Sequence, residues 1–239
     1  MEEKIELIEK EGIEHFIILP FTREFSKLSS KDFIDKYLHQ LIGIKGLIVG
    51  YDHKFGKDRQ GNFEDLKICA EKYNFKIKKI DAFRIHNENI SSTMIRNALL
   101  NGQIEKANSY LSRKFTLPGQ VTNGRKVGRN LGFPTANIQP DSKYKLIPKD
   151  GVYAVKVEVE KKMFLGMLNI GTRPTFDDGE INRSIEVHII DFSGNLYHQN
   201  IKLHFYKRIR DELRFESIEE LVNQLAVDKS NVMNYFNRL

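Results

Sequence analysis

The chain has 239 residues, a length that favours two domains. Of these residues 40% are hydrophobic and 29% are charged, which is an ordinary globular composition. Its single cysteine, Cys69, excludes an intrachain disulfide and a cysteine-based metal site, and it fits a protein of the reducing cytoplasm. No apolar run reaches eighteen residues and the N-terminal residues are polar, so neither a membrane span nor a secretion signal is expected.

The net charge of +6 admits two interpretations. A basic chain can bind nucleic acid, whereas polyphosphate ligands explain a modest basic excess equally well. No basic tract is longer than a few residues, and the interleaved basic and aromatic residues of a single-strand platform are missing. We therefore expect small phosphorylated ligands and neither a nucleic-acid nor a membrane partner.

Residues 1–112 alternate helical and strand patterns. Helices are predicted over Glu3–Glu11, after an N-cap at Ser30, and over 66–73, and strands over His15–Leu19, Gly46–Gly50 and Phe75–Ile80. The strand–helix–strand order predicts a parallel sheet, whose ligands bind at the carboxyl ends of strands. The polar loop at 50–59 lies at such an end.

A serine-rich stretch opens the next predicted helix. Ser91 or Ser92 can cap a helix that runs to Leu100, with Gly102 ending it. Free N–H groups at a helix start, with Arg96 one turn in, form an anion site. A capped helix with a solvated arginine explains the same residues equally well. A short helix over Ile104–Leu111 follows.

From Phe115 the hydrophobic period changes to two. Apolar residues alternate within 153–159, 185–189 and 201–205, and Met163–Ile170 forms another strand, which together predict an antiparallel barrel or sandwich. Periodicity does not choose between these two. The pair Ser217 and Glu220 predicts a capping box before a helix, and a second short helix is predicted over 231–236.

The stretch 124–137 concentrates candidates for phosphate binding. Glycines let backbone N–H groups approach a ligand, and cations beside them suit phosphate. In an extended chain, the Thr135 and Asn137 oxygens point to one side. Hard oxygens beside a polyphosphate are the ligands that Mg²⁺ prefers. The stretch is not a Walker A loop, and a basic, glycine-rich hairpin turn is an equal alternative. The candidate residues are Lys126, Gly128, Arg129, Gly132, Pro134, Thr135 and Asn137.

The string Gly-Phe-Pro-Thr-Ala-Asn within this stretch resembles the nucleotide-binding signature of riboflavin kinases, the flavokinase module of bacterial bifunctional riboflavin kinase/FAD synthetases. The resemblance continues through 151–153, 168–175, 186–188 and 210–212, and it covers residues 113–239. A weaker one, to the adenylyltransferase module of the same enzymes, covers residues 1–112. The resemblance implies an incomplete Rossmann-like α/β domain, 1–112, followed by a small closed antiparallel β-barrel with C-terminal helices, 113–239.

The resemblance also implies an activity and its residues. The enzyme would transfer the γ-phosphoryl group of ATP to the 5′-hydroxyl of riboflavin, giving FMN, with Mg²⁺ as cofactor. Glu186 would be the general base; without the motif, a solvent-facing carboxylate would be the preferred interpretation. His188 is expected to be structural. The seven candidates of 124–137 would bind ATP, Thr135 and Asn137 would also hold the metal, and the flavin would contact Asn169, Arg173 and Arg210.

The first half departs from the family pattern. The string at 91–96 resembles the phosphate-binding motif of nucleotidyltransferases, which implies a vestigial triphosphate site of Ser91, Ser92, Thr93 and Arg96, with Asp52 near the nucleotide. However, the chain begins with a predicted helix, and none of its seven histidines lies in the His-x-Gly-His motif. We therefore expect a shortened gene start or a structural remnant, and an adenylyltransferase activity that is absent or crippled. Exposed strand edges would favour self-association or chaperone dependence.

Two other functions stay open. The chain could be a flavin- or nucleotide-binding sensor without turnover, although loss of Glu186 or Asn137 would have favoured that. Alternatively it could be a still-active FAD synthetase that also binds FAD.

Overall fold

The computed structural model describes residues 1–85, 88–124, 127–173 and 182–239. The chain divides into two compact units, Met1–Phe83 and Arg84–Leu239. The predicted boundary between residues 112 and 113 concerns functional modules and stays a prediction. Across the described ranges, no helix combines the length and the apolar character needed to cross a bilayer.

The first unit is built on a pair of parallel strands, β1 and β2, in register from Gly46 opposite Lys76 to Gly50 opposite Ile80. This confirms the predicted parallel pairing. Asn62 and Asp65 form a capping box at the start of α4, whose Leu66 and Cys69 pack into the core of the unit. Its elements are α1 (Glu2–Lys10), α2 (Arg23–Ser26), α3 (Ser30–Asp32), a π-helical segment (Phe33–Leu41), β1 (Gly46–Gly50), a 3₁₀ turn (Lys57–Arg59), α4 (Phe63–Tyr73) and β2 (Lys76–Ile80).

Two predictions for this unit are wrong. Residues 15–19 form no strand, because a strand needs a neighbouring chain to take its backbone groups, and Ile17 and Ile18 stay more than half exposed. The N-cap of α3 is Ser29 and not Ser30, since the Ser29 hydroxyl accepts the Asp32 N–H at 3.0 Å. The chain continues from α3 into the π-helical segment.

The second unit is a closed antiparallel barrel of six strands in the order β10-β5-β6-β9-β8-β7. This confirms the barrel over the sandwich. Its elements are β3 (Arg84–Ile85), β4 (Glu88–Asn89), α5 (Ser92–Leu100), α6 (Ile104–Leu111), β5 (Phe115–Thr122), α7 (Val127–Asn130), β6 (Ala136–Pro140), β7 (Gly151–Val159), β8 (Lys162–Arg173), β9 (Asn182–Ile189), β10 (Asn200–Arg210) and α8 (Ile218–Phe236).

Alternate residues of the barrel strands fill its interior, with Leu117, Tyr153, Leu168, Val187 and Phe205 among the fully buried side chains. Large apolar side chains from every wall therefore make one continuous core, as expected for a small barrel.

The outer face of β7 and β8 is also buried. Val152, Ala154 and Met167 pack with Val232 of α8, so β7 is covered on both faces and is not the half-buried strand that its alternation predicts. The helix α8 is continuous over 218–236, so the two predicted C-terminal helices are one. Its N-cap Ser217 accepts the Glu220 N–H at 3.2 Å, while the Glu220 carboxylate accepts the N–H of Glu216.

Candidate active site

Glu186 lies on the outer face of β9. Its neighbours Ile185 and Val187 point into the buried core, so Glu186 points the other way and is half-buried. In the ladder it pairs with Asn137 of β6 on one side and with Asn169 of β8 on the other. Because directly paired residues share a face of the sheet, these three polar side chains form one row across three strands.

A hydrogen bond joins the glycine-rich stretch to this row. The Thr135 hydroxyl donates to Oε2 of Glu186 at 3.1 Å, across 51 residues of sequence. Thr135 is exposed, so a ligand can reach the pair from solvent. The two motifs that the sequence singled out, around 133–137 and 186–188, therefore meet at one point of the barrel wall.

The turn before Thr135 depends on two glycines. A Cβ atom at Gly128 would lie 2.3 Å from the carbonyl oxygen of Phe133, so a side chain does not fit there. The Phe133 N–H donates to the Gly128 carbonyl at 2.9 Å, which folds the turn back on itself. Gly132 adopts φ +79°, a conformation that side chains rarely take. The glycines thus shape the approach to Thr135.

A cleft of about 650 Å³ opens beside Thr135. That volume suits a small-molecule ligand. Its lining combines Arg129, Pro134 and Thr135 with residues 192–197 of the loop that connects β9 to β10. Sequence reasoning missed this loop; the Ser193-Gly194-Asn195 run indicates a turn, but only closure of the barrel brings it beside Thr135. The lining residues are Val121, Arg129, Pro134, Thr135, Ala136, Val187, Ile189, Phe192, Ser193, Gly194, Asn195, Leu196 and Tyr197.

The predicted flavin contacts have different surroundings. Asn169 belongs to the row with Glu186, and its amide reaches Oε1 of Glu212 at 3.5 Å. The Arg210 guanidinium is held by α8, since its Nη2 donates to Asp228 at 2.7 Å and Asp228 is fully buried. Arg173 ends β8, and its side chain lies outside the described part of the structure, as does the whole of Lys126.

The pKa values of His188 and Asp211 are both lowered by their surroundings. Burial lowers the pKa of His188, whose Nδ1 lies 2.9 Å from the carbonyl oxygen of Pro134. Hydrogen bonds from Arg208 and Lys149 lower the pKa of Asp211 to about 2.

The described residues contain no group of three or more His, Cys, Asp or Glu side chains that could hold a metal ion by themselves. A cation held by Thr135 and Asn137 would therefore need further oxygens from phosphate and water. Hydroxyl, amide and carboxylate oxygens are hard donors, which suits a magnesium ion that keeps most of its contacts to phosphate and water.

The residues predicted for a vestigial adenylyltransferase site belong partly to the second unit, 91–96, and partly to the first, Asp52. Ser91 is the N-cap of α5, and its hydroxyl accepts the Met94 N–H at 3.3 Å, which decides between the two serines proposed as the cap. Ser92, Thr93 and Arg96 are exposed on the first turns of that helix. Asp52 is exposed after β1 in the first unit.

Comparison with known proteins identifies the family. A family model for riboflavin kinase matches residues 111–236, more than half of the chain, and one for FAD synthetase matches residues 1–94. The chain belongs to the bifunctional riboflavin kinase/FMN adenylyltransferase family. The expected ATP-dependent riboflavin kinase module is thereby confirmed. The family's small-molecule substrates are those that the resemblance implied: riboflavin, ATP and FMN.

Members of this family match almost the whole chain. The bifunctional riboflavin kinase/FMN adenylyltransferase of Buchnera aphidicola from Schizaphis graminum is 40% identical over 240 residues, which cover 99% of this chain and 76% of that protein. The Listeria monocytogenes enzyme is 38% identical over 239 residues, covering 100% of this chain and 75% of its own.

A solved structure agrees in fold. The crystal structure of a Streptococcus pneumoniae protein described as a macrolide-efflux protein superposes with a TM-score of 0.88 at 31% identity, covering 98% of this chain and 74% of that one. That description applies to the pneumococcal protein, whereas this chain has the sequence motifs of the riboflavin kinase family.

Proposed function

We propose that this protein phosphorylates the 5′-hydroxyl of riboflavin with the γ-phosphoryl group of ATP, giving FMN, and that Glu186 is the general base. The observation that carries the proposal is the 3.1 Å hydrogen bond from the Thr135 hydroxyl to the Glu186 carboxylate. It joins a glycine-rich, cationic turn to a carboxylate on an open barrel wall. Phosphoryl transfer needs this combination of positioning, charge neutralisation and one proton acceptor.

The cleft between 129–136 and 192–197 is proposed as the ATP site. The turn at Gly128 and Gly132, with the cation Arg129 exposed beside it, would receive the phosphates. The apolar walls of the cleft suit a flat base, and Lys126 would add a second cation. Asn169, Arg173 and Arg210 are proposed to contact the flavin, which puts the acceptor hydroxyl on the β8 side of Glu186.

Thr135 and Asn137 are proposed to hold Mg²⁺ together with the ATP phosphates. When bound, the ion would neutralise charge on the phosphates. The protein's own part is to keep both side chains on the Glu186 face of the wall, and to accept the proton of the riboflavin hydroxyl at the Glu186 carboxylate. A general base must reach that hydroxyl by a hydrogen bond, and the half-exposed position of Glu186 allows this.

The test is transfer of labelled phosphate. Purified protein with riboflavin, Mg²⁺ and ATP labelled in the γ-phosphate is expected to give labelled FMN, and Glu186→Gln is expected to lose this activity while still binding ATP. Glu158→Gln, a carboxylate of the same barrel that pairs with His204 instead, serves as the control variant. Well-folded protein that gives no riboflavin-dependent product would refute the proposal.

We further propose that FMN adenylyltransferase activity is lost from this 239-residue chain. The chain contains no His-x-Gly-His motif, whose paired histidines would stabilise the transferred phosphate. The second candidate, an active FAD synthetase, is favoured by the FAD synthetase match over residues 1–94. Formation of FAD from FMN and ATP distinguishes the two, and we expect none.

A further inference from the structure

His188 lies two residues after Glu186 on the same outer face of β9, and only 6% of its surface is exposed. Burying an imidazole is costly unless its N–H finds an acceptor. Here Nδ1 lies 2.9 Å from the carbonyl oxygen of Pro134. A carbonyl oxygen can only accept, so Nδ1 must carry the proton and donate it.

The choice of partner follows from the short ladder between β6 and β9. This ladder pairs Ala136 with Val187 and Asn137 with Glu186. It cannot continue through Pro134, because proline has no N–H to donate. The His188 imidazole instead donates to the Pro134 carbonyl. One side-chain bond therefore holds the chain at the residue directly before Thr135.

Packing fixes the orientation of the ring. Phe133 meets His188 edge-to-face, with ring centroids 5.4 Å apart, and Phe133 itself packs on the buried cluster that contains Met167 and Val232. Burial lowers the pKa of His188, and the positive charge of Lys229 lowers this pKa further. The Pro134 carbonyl and Asp191 raise it by less than burial lowers it. At neutral pH the ring is thus neutral, with its proton on Nδ1.

We propose that His188 is a positioning residue for phosphoryl transfer. Its Nδ1–H holds the Pro134 carbonyl, and this keeps the Thr135 hydroxyl in reach of the Glu186 carboxylate. The inference rests on the proposed kinase function of that site. His188 itself takes no proton from the substrate, because its ring is buried and its Nδ1 proton is engaged.

Three substitutions separate the hydrogen bond from packing. His188→Asn puts an amide N–H near the position of Nδ1, His188→Gln puts it near that of Nε2, and His188→Phe keeps a ring without a donor. We expect kcat/KM for ATP to fall about tenfold to a hundredfold in the Gln and Phe variants, since displacements of about 1 Å have such effects. The Asn variant should recover most of this loss, and KM for riboflavin should stay unchanged in all three.

The pH profile of the rate tests whether His188 is instead the proton acceptor. Any acidic limb of the wild-type rate profile should persist in every variant, because the proposal gives His188 no proton to accept. Loss of that limb in the Asn variant would identify His188 as the proton acceptor and overturn the proposal.

Two readouts do not depend on turnover. In protein labelled with ¹⁵N-histidine, His188 should show the Nδ1–H tautomer. Hydrogen exchange of peptides covering 127–137 should accelerate in the Phe and Gln variants and not in the Asn variant. An Nε2–H tautomer, or Phe and Gln variants with unchanged exchange, would overturn the proposal. If the wild type phosphorylates no riboflavin, the proposed function fails, while these two measurements still decide whether His188 holds the turn.

Discussion

The buried ion pair between Arg210 and Asp228 offers a quantitative test of what fixes α8 to the barrel. Asp228 is fully buried, and the Arg210 side chain is 18% exposed. Arg210 donates to both carboxylate oxygens, at 3.0 Å from Nε and 2.7 Å from Nη2, and Gln224 donates to Asp228 at 2.9 Å. Removing one partner of such a pair leaves an uncompensated buried charge, which costs about 3–5 kcal/mol. We expect Asp228→Ala to destabilise the barrel unit by that amount.

The measurement must be local, because a chain with two units does not unfold in one two-state transition. Hydrogen exchange of peptides from β10 and α8 reports the opening of this region. At about 1.4 kcal/mol per tenfold change, protection should fall by roughly two to three and a half orders of magnitude. Lys149→Met, which removes the exposed ion pair with Asp211, is the control and should leave the exchange rates unchanged.

A double variant tests the cause. Arg210→Met with Asp228→Leu replaces both charges by apolar side chains, and such replacements are often neutral or stabilising. It should therefore recover most of the protection that the single variant loses. A single variant whose protection falls less than about tenfold would refute the reasoning, as would a double variant no better than the single one.

Three further predictions concern the site, acid titration and the first unit. Asn137→Ala should lower kcat about a hundredfold, as loss of one transition-state contact does. Arg129→Ala removes an exposed cation and should mainly raise KM for ATP, about fivefold. Steady-state kinetics at varied Mg²⁺ would contradict this if both variants lost the same factor in kcat. The lowered pKa of Asp211, about 2 against an ordinary 3.8, means that its ion contacts are present above pH 4 and are lost as the pH falls towards 2. A carboxyl-carbon NMR titration with a midpoint near 3.8 would show the assignment to be wrong. Replacing the exposed Ile17 and Ile18 by threonine should reduce the self-association expected of the first unit, measured as the average mass in light scattering. The same average mass for the wild type and the variant would exclude these two side chains as the cause of self-association.

Much of the site could be predicted from the sequence because its chemistry is local. The spacing of Thr135 and Asn137 puts two oxygens on one side of an extended chain, and the alternation around Glu186 turns that carboxylate away from the core. A turn at Gly128 and Gly132 could also be predicted, because few residues other than glycine allow a close approach of another backbone atom or a positive φ. Periodicity predicted the four strands β7 to β10, but it predicted neither β5 nor β6 and left barrel and sandwich open.

Only the tertiary structure decided which of these local features meet. Closure of the barrel brings β6 against β9, and this puts Thr135 on Glu186 across 51 residues, brings 192–197 beside them and makes Pro134 the partner of His188. Packing of α8 on the outer wall buries Ala154 and pairs Arg210 with the buried Asp228. From the alternation of the strands alone, Ala154 and Arg210 would be exposed. The strand predicted at 15–19 is absent for the same reason, since no other strand pairs with this segment in the described structure. Periodicity states which face of a segment is apolar, whereas hydrogen-bond partners and burial depend on which other segment packs there.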